Sequence, residues 1–337
     1  MSEDIEENSL IENATDMLSD TLTGIPAPVK KNAFKAFAQL CTAVVDIPVA
    51  HLEGIASEKR AETQARINII NTGAKQISEQ MNIDPEYAKI AVKKYGNRII
   101  RERVNLDMIS EKAALELKKD SSSNIENNEE TTLEKDISED WLNSFEKEAS
   151  EKSSEEMQDL FSKILAGEIK KPSTFSIKSV KTLSQLDNEV ARLFQTICSL
   201  CISLKYDGDI IDARVVSLSG TAASNSLQQY GLNFSNLNIL EEYGLIISDY
   251  NSYMDYASSV INLEESTCLP FEYNSNSFVL INDNLENTTK ELKLSGIGLT
   301  KTGKELFSII DSLENQRYTK DFFEFFKRQK LTMKKID

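Results

Sequence analysis

A mainly α-helical protein whose last third turns α+β is what this sequence predicts, and three observations predict it. Apolar residues recur at three- and four-residue steps through residues 29–117 and again through 138–206, which is the period of an amphipathic helix. Two polar, acidic segments, 1–24 and 120–137, interrupt that pattern and carry few apolar residues. From about residue 207 the texture changes to short helical patterns mixed with short β-branched or alternating runs, the mark of strands between turns. The expected organisation is therefore an acidic disordered tail (1–24), a helical region (25–119), an acidic linker (120–137), a helical bundle (138–206), an α+β domain (207–316) and a basic C-terminal helix (317–337).

The first helix follows GIPAPVKK, where prolines stand at its entry, a position that needs no backbone donor. Ala33, Phe34, Phe37, Leu40 and Val44 share one face, and Pro48 ends or kinks the helix. A long polar helix follows from about residue 49 to 80, a length that suggests helix pairing. Asp84, Pro85 and Glu86 then read as a helix start. In the bundle, Trp141, Phe145 and Ala149 lie four apart, and Ser153 with Glu156 matches a capping box. Met157, Leu160, Phe161, Ile164 and Leu165 form an apolar stripe. The stretch SEEMQDLFSKILAGEIKKP, residues 154–172, thus reads as a helix that stops: Gly167 falls where the period fades, and Pro172 blocks continuation. Ser173 or Thr174 is expected to cap the next helix, and Asp187 the one after it. Further on, SNLNILEEYGLI reads as a helix ended by Gly244 and a strand through Ile247. FEYNSNSFVLIND reads as a hairpin turning at residues 274–276. KELKLSGIGLT is a strand, with a helix starting at Thr300 or Thr302.

The 337 residues carry a net charge of −16, unevenly spread. Residues 2–20 hold seven acids and no base, residues 120–160 fourteen acids against three bases, and residues 215–289 nine acids with no lysine or arginine. The remainder is net positive by about 11.

Several chemistries are excluded. His51 is the single histidine, so a zinc site of several histidines is ruled out and a Ser-His-Asp site has one candidate base. Gly296, Gly298 and Gly303 have the wrong spacing for a dinucleotide fingerprint, and no phosphate-binding loop or H-E-x-x-H occurs. Cys198 and Cys201 form a CxxC on an apolar run read as helix. Zinc there needs further ligands from Cys41, His51 or Cys268, and buried small hydrophobes are the simpler reading. Glu155, Glu156 and Asp159 sit on the polar side of their helix. No catalytic residue, metal or cofactor is assigned. Residues 36–52 are too short and polar to span a bilayer. Four cysteines form no disulfide framework, which points to a reducing cytoplasm.

One basic run stands out, KIAVKKYGNRIIRER. Lys89, Lys93 and Arg101 fall toward one face, and Lys94, Arg98 and Arg101 toward another, with Tyr95 between. Lys327, Arg328, Lys330, Lys334 and Lys335 make a second basic cluster near the C-terminus. Such faces bind phosphates or dock acidic protein segments.

In the last third, a helix followed by GLI, then strands, then Leu299, Thr300, Gly303 and Leu306 as LTxxGxxL, resembles a winged helix. The absence of Lys and Arg from 215–289 makes its usual DNA-reading face repel phosphate, so the resemblance implies protein contact. The segments PAPVKKNAFKA, EKRAETQARI, SEDWLNSFEKEASEKSSEEMQDLFSKILAGEIKKPSTFSIKSVKTLSQLD, SNSLQQYGLNFSNLNILEEYGLI and LSGIGLTKTGKEL resemble the bacterial domain-of-unknown-function family 2806. ILAGEIKKP and LSQLDNEV are more faintly similar to alpha-type phage abortive-infection proteins, which implies a defence context. The expected function is a non-enzymatic protein-interaction module or scaffold with a protein partner or a second copy. The alternative is a nucleic-acid-binding protein that uses the basic faces at 89–103 and 327–335.

Overall fold

Pro26 stands just outside the first helix, α1 (Ala27–Leu40), which buries Ala33, Ala36, Phe37 and Leu40. The computed structural model describes residues 25–41, 68, 72–75, 78, 84–123, 135–219, 225–249, 251–261, 268–283, 290–311 and 313–336. The tail 1–24, His51, most of the helix expected over 49–80 and most of the linker lie outside these residues. The chain divides into two compact units, Met1–Val180 and Lys181–Asp337.

In the first unit α2 (Pro85–Ser123) is 39 residues long, about 58 Å at 1.5 Å per residue. It starts where the sequence predicts: the Asp84 carboxylate accepts from the Glu86 and Tyr87 amides at 2.9 and 3.1 Å. Helices α3 (Glu139–Ala149) and α4 (Glu155–Lys170) follow. The second half of α2 lies along α4, and α1 packs on α4, α2 and α3. Trp141 stacks on Phe145 at 5.1 Å and Phe145 meets Phe161 at 5.6 Å. The Trp141 indole N–H donates to the Phe175 carbonyl at 2.8 Å, which satisfies a buried donor. Buried Asn32 accepts from the Ile137 amide at 3.0 Å and donates to the Lys135 and Ile169 carbonyls, fastening the segment before α3.

The 154–172 stretch does end a helix, by other means than the sequence suggests. Ser154, not Ser153, caps α4 by accepting from the Met157 amide. Gly167 is inside α4, and a Cβ there would come within 2.6 Å of Phe175. Its role is close approach. The buried Glu168 carboxylate accepts from the Ser173 amide at 2.6 Å and the Phe175 amide at 2.9 Å. This organises the reversal in which Ser173 takes φ 77°. Ser176 sits at the entry to α5 (Ile177–Gln185), accepting from the Ser179 amide, in place of Ser173 or Thr174.

The second unit corrects the predicted fold class. The C-terminal part is not a winged-helix-like α+β domain but a nine-stranded, largely antiparallel sheet with helices beside it. Helix α6 (Asn188–Leu200) starts at Asp187, whose carboxylate accepts from the Val190 amide at 2.9 Å. It hands over directly to β1 (Cys201–Tyr206), which turns through Asp207 and Gly208 into β2 (Asp209–Val216). Both turn residues have positive φ, 51° and 76°, the conformation of a two-residue I′ hairpin turn. Helix α7 (Phe234–Glu242), β3 (Ile246–Ile247), β4 (Tyr253–Asp255) and β5 (Val260–Ile261) follow. The hairpin of β6 (Phe271–Tyr273) and β7 (Asn276–Asn282) turns at Asn274 and Ser275, as the sequence predicts. Then come β8 (Lys293–Leu299), α8 (Lys301–Phe307), which Thr300 caps, α9 (Gln316–Arg328) and β9 (Leu331–Ile336).

The strand order is β3–β8–β2–β1–β6–β7–β5, with β4 also on β8 and β9 also on β7. The pair β5–β7 is parallel, and the others are antiparallel. The final basic stretch is helical only to Arg328, after which it is a strand. Tyr318, Phe322 and Phe326 form a fully buried stripe along α9. Tyr273 meets Phe322 at 5.2 Å and Phe271 meets Phe326 at 6.3 Å, so aromatic burial holds α9 to the sheet.

Candidate functional site

The basic residues singled out in the sequence sit on two elements, one in each unit. Lys89, Lys93, Lys94, Arg98 and Arg101 are all exposed on the first half of α2. Tyr87, Ile90, Lys94, Arg98 and Arg101 succeed one another at three- and four-residue steps and share a face, while Lys89 and Lys93 stand one turn apart beside it. Arg98 is bonded to Glu102 at 2.6 Å and reaches Glu151 at 3.5 Å. Among the described residues, no ion pair engages Lys89, Lys93, Lys94 or Arg101.

What the sequence reading missed is the apolar company of these cations. Tyr87, Ile90, Tyr95 and Ile99 are 66, 64, 63 and 59% exposed. Tyr95 and Ile99 continue the stripe that Leu106, Ile109, Ala113 and Leu117 bury further along the helix, and Val92 on the same stripe is half-buried, within 3.4 Å of where a Cβ on Gly73 would lie. Within residues 85–104 only Ala88 is buried. The signal was present as spacing, but period alone does not tell a covered stripe from a bare one.

In the second unit, Lys327 and Arg328 end α9, Lys330 is in the following turn with φ 59°, and Lys334 and Lys335 are exposed on β9. Lys327 pairs with Glu324 at 3.2 Å, and Arg328 donates to the Leu218 carbonyl at 3.3 Å.

Other constellations are structural. Cys198 ends on α6 and Cys201 begins β1, so the CxxC spans a helix–strand junction, not one helix face. Burial pushes both thiols far above the ordinary range, the opposite of what a metal thiolate needs. Among the described residues, no group of three or more His, Cys, Asp or Glu is placed to hold a metal ion, and no helix is long and apolar enough to cross a membrane. Buried Arg214 makes a bidentate pair with Asp212 at 2.7 and 2.9 Å and donates to the Leu294 carbonyl at 2.8 Å. The Tyr256 hydroxyl donates to the same carboxylate at 2.8 Å, and burial raises that phenol well above its usual range. Every charge in this group is answered, so it ties β2 to β8 as a satisfied network. A polar cleft of about 410 Å³ opens beside β1 and β6, where Lys205 and Glu272 bond to each other at 2.8 Å across the strands.

A family model described as "Protein of unknown function (DUF2806)" matches residues 97–323. Neither the curated proteins nor the solved structures contain a match to this chain. The matched segment covers two thirds of the sequence, and the chain belongs to this family.

Proposed function

We propose that this DUF2806 member is a non-enzymatic interaction protein that receives an acidic, amphipathic partner helix along the first half of α2. One observation carries the reading: residues 85–104 leave Tyr95 and Ile99 of the apolar stripe bare while presenting six bases against two acids. A solvated helix needs no Tyr95 and Ile99 at those positions, and a purely phosphate-binding face needs no Ile99. A helix docked ridge-into-groove covers such a stripe, and flanking carboxylates answer the cations. Two copies of α2 are poor partners for each other, because their like charges repel. We place the protein in a reducing cytoplasm, which its four unbridged cysteines support.

The second reading, nucleic acid on the adjoining basic face, is favoured by Lys94, Arg98 and Arg101 sharing one side of the helix. Titration separates the two. The full chain is titrated with a labelled helical peptide of about 20 residues, matching the roughly 30 Å of the bare half-helix, with leucines on one face and glutamates flanking it. A DNA duplex is titrated in parallel. The proposal expects peptide binding that weakens at least tenfold in Tyr95→Ala/Ile99→Ala and persists in moderate salt. Duplex binding that collapses between ~50 and ~200 mM salt, with indifference to Ile99→Ala, selects the nucleic-acid reading instead.

A further inference from the structure

The second unit carries an independent surface, the outer edge of β9. Strand β7 uses one edge for β6 and β5 and the other for β9, whose six residues pair from Leu331↔Asn282 to Ile336↔Ser277. Among the described residues, nothing pairs with the far side of β9. The opposite margin of the sheet is blunted, made of the two-residue β3 and three-residue β4, a common protection of edges. β9 has no such interruption.

Its free backbone groups can be assigned. The Asp283 amide donates to the Lys330 carbonyl at 3.0 Å, which makes that pair the hydrogen-bonded kind. Alternation along an antiparallel ladder then gives Thr332, Lys334 and Ile336 to β7. Leu331, Met333 and Lys335 turn their N–H and C=O groups outward. Leu331 and Met333 bury their side chains, whereas Lys334 and Lys335 are exposed on opposite faces. From Lys327 to Ile336 the chain has five cations and no carboxylate.

We propose that β9 takes an acidic extended segment of a partner protein as an added strand. Backbone pairing supplies the affinity in this mode and side chains the specificity. Acidic residues at successive positions of the added strand meet Lys334 on one face of the sheet and Lys335 on the other. The same lysines reject a second β9, because like charges opposite each other across a ladder destabilise it. This surface is separate from α2, and either proposal stands without the other.

The test uses the full chain and a fluorescein-labelled peptide of about eight residues, a usual strand length, with glutamates at successive central positions, so that both faces carry one, and valines on either side. Lys335→Pro removes an outward N–H and no bond to β7, a placement that edge strands tolerate. Binding is expected to weaken about tenfold or more in Lys335→Pro and in Lys334→Glu/Lys335→Glu, with the thermal melt of each variant close to wild type. Should a variant fail to fold, wild-type protein with a peptide N-methylated at every amide gives the same answer: about tenfold weaker binding is expected, since the ladder donors on both of its edges are blocked. No binding of the parent peptide, equal binding of the N-methylated one, or displacement by single-stranded DNA that Lys335→Pro binds equally well overturns the proposal.

Discussion

The two halves of α2 obey one sequence rule and have different surroundings. Both place apolar residues at helical spacing. From Asn105 onward that stripe is buried, with Leu106 and Ile109 at 1 and 0% exposure against α4 and its neighbours. Before it, Tyr95 and Ile99 stand in solvent among cations. Periodicity therefore fixes which face is apolar, and only tertiary packing decides whether the fold uses that face or leaves it for another molecule.

Substitution sharpens this contrast most strongly. Ile109→Ala removes buried methylenes and should cost about 2–5 kcal/mol, read from urea unfolding. Ile99→Ala should leave stability within about 0.5 kcal/mol, and its effect should appear in partner binding. Equal losses at the two positions would break the distinction. Next in size is Glu168→Ala, which strands the buried Phe175 amide, releases that of Ser173 and should cost about 1–3 kcal/mol.

A smaller effect tests burial at the end of α1. Burial pushes the Cys41 thiol up to about 11, with the Ser110 hydroxyl opposing and Asp107 adding to the rise. The raised value means the unfolded thiol ionises first. Stability should be intact below pH 9 and decline as pH rises toward 11, and Cys41→Ser should flatten that slope in pH-dependent melts. The smallest effect belongs to Lys31–Asp136, an exposed pair at 2.8 Å. Lys31 holds the Asp136 carboxyl below its usual range, so its small contribution is present above the ordinary carboxyl value and is lost as pH falls from there through the lowered one. Lys31→Ala should move the neutral melt only slightly.

Much of the helical half was legible because its signals are local. Asp84 and Asp187 cap where they stand in sequence, and Asn274 turns a hairpin. The large sheet was not legible, for identifiable reasons. The run from Ile197 to Leu204, ICSLCISL, is apolar without alternation, so a helix end and a buried strand look alike. The tyrosine–aspartate–glycine–aspartate turn at 206–209 was the overlooked signal for β1 and β2. β9 hid behind its lysines, which suit a helix end as well as a strand margin. The LTxxGxxL segment is a strand entering a Thr300-capped helix, which is common to many sheets and does not specify a winged helix. Glu168 was invisible because its function depends on amides five and seven residues away in a reversed chain. The exposed part of the stripe on α2 is half visible in the sequence: Tyr95 stands among the cations, but its exposure is a tertiary fact.

The most direct measurement is hydrogen exchange along α2, with and without the acidic helical peptide. In the free protein, amides of residues 85–104 should exchange faster than those of 105–119, because burial is extensive only in the second half. On saturation, protection should rise across 85–104 and stay unchanged in 105–119. Unchanged exchange in 85–104 on saturation would contradict the claim that this half-helix is a docking surface.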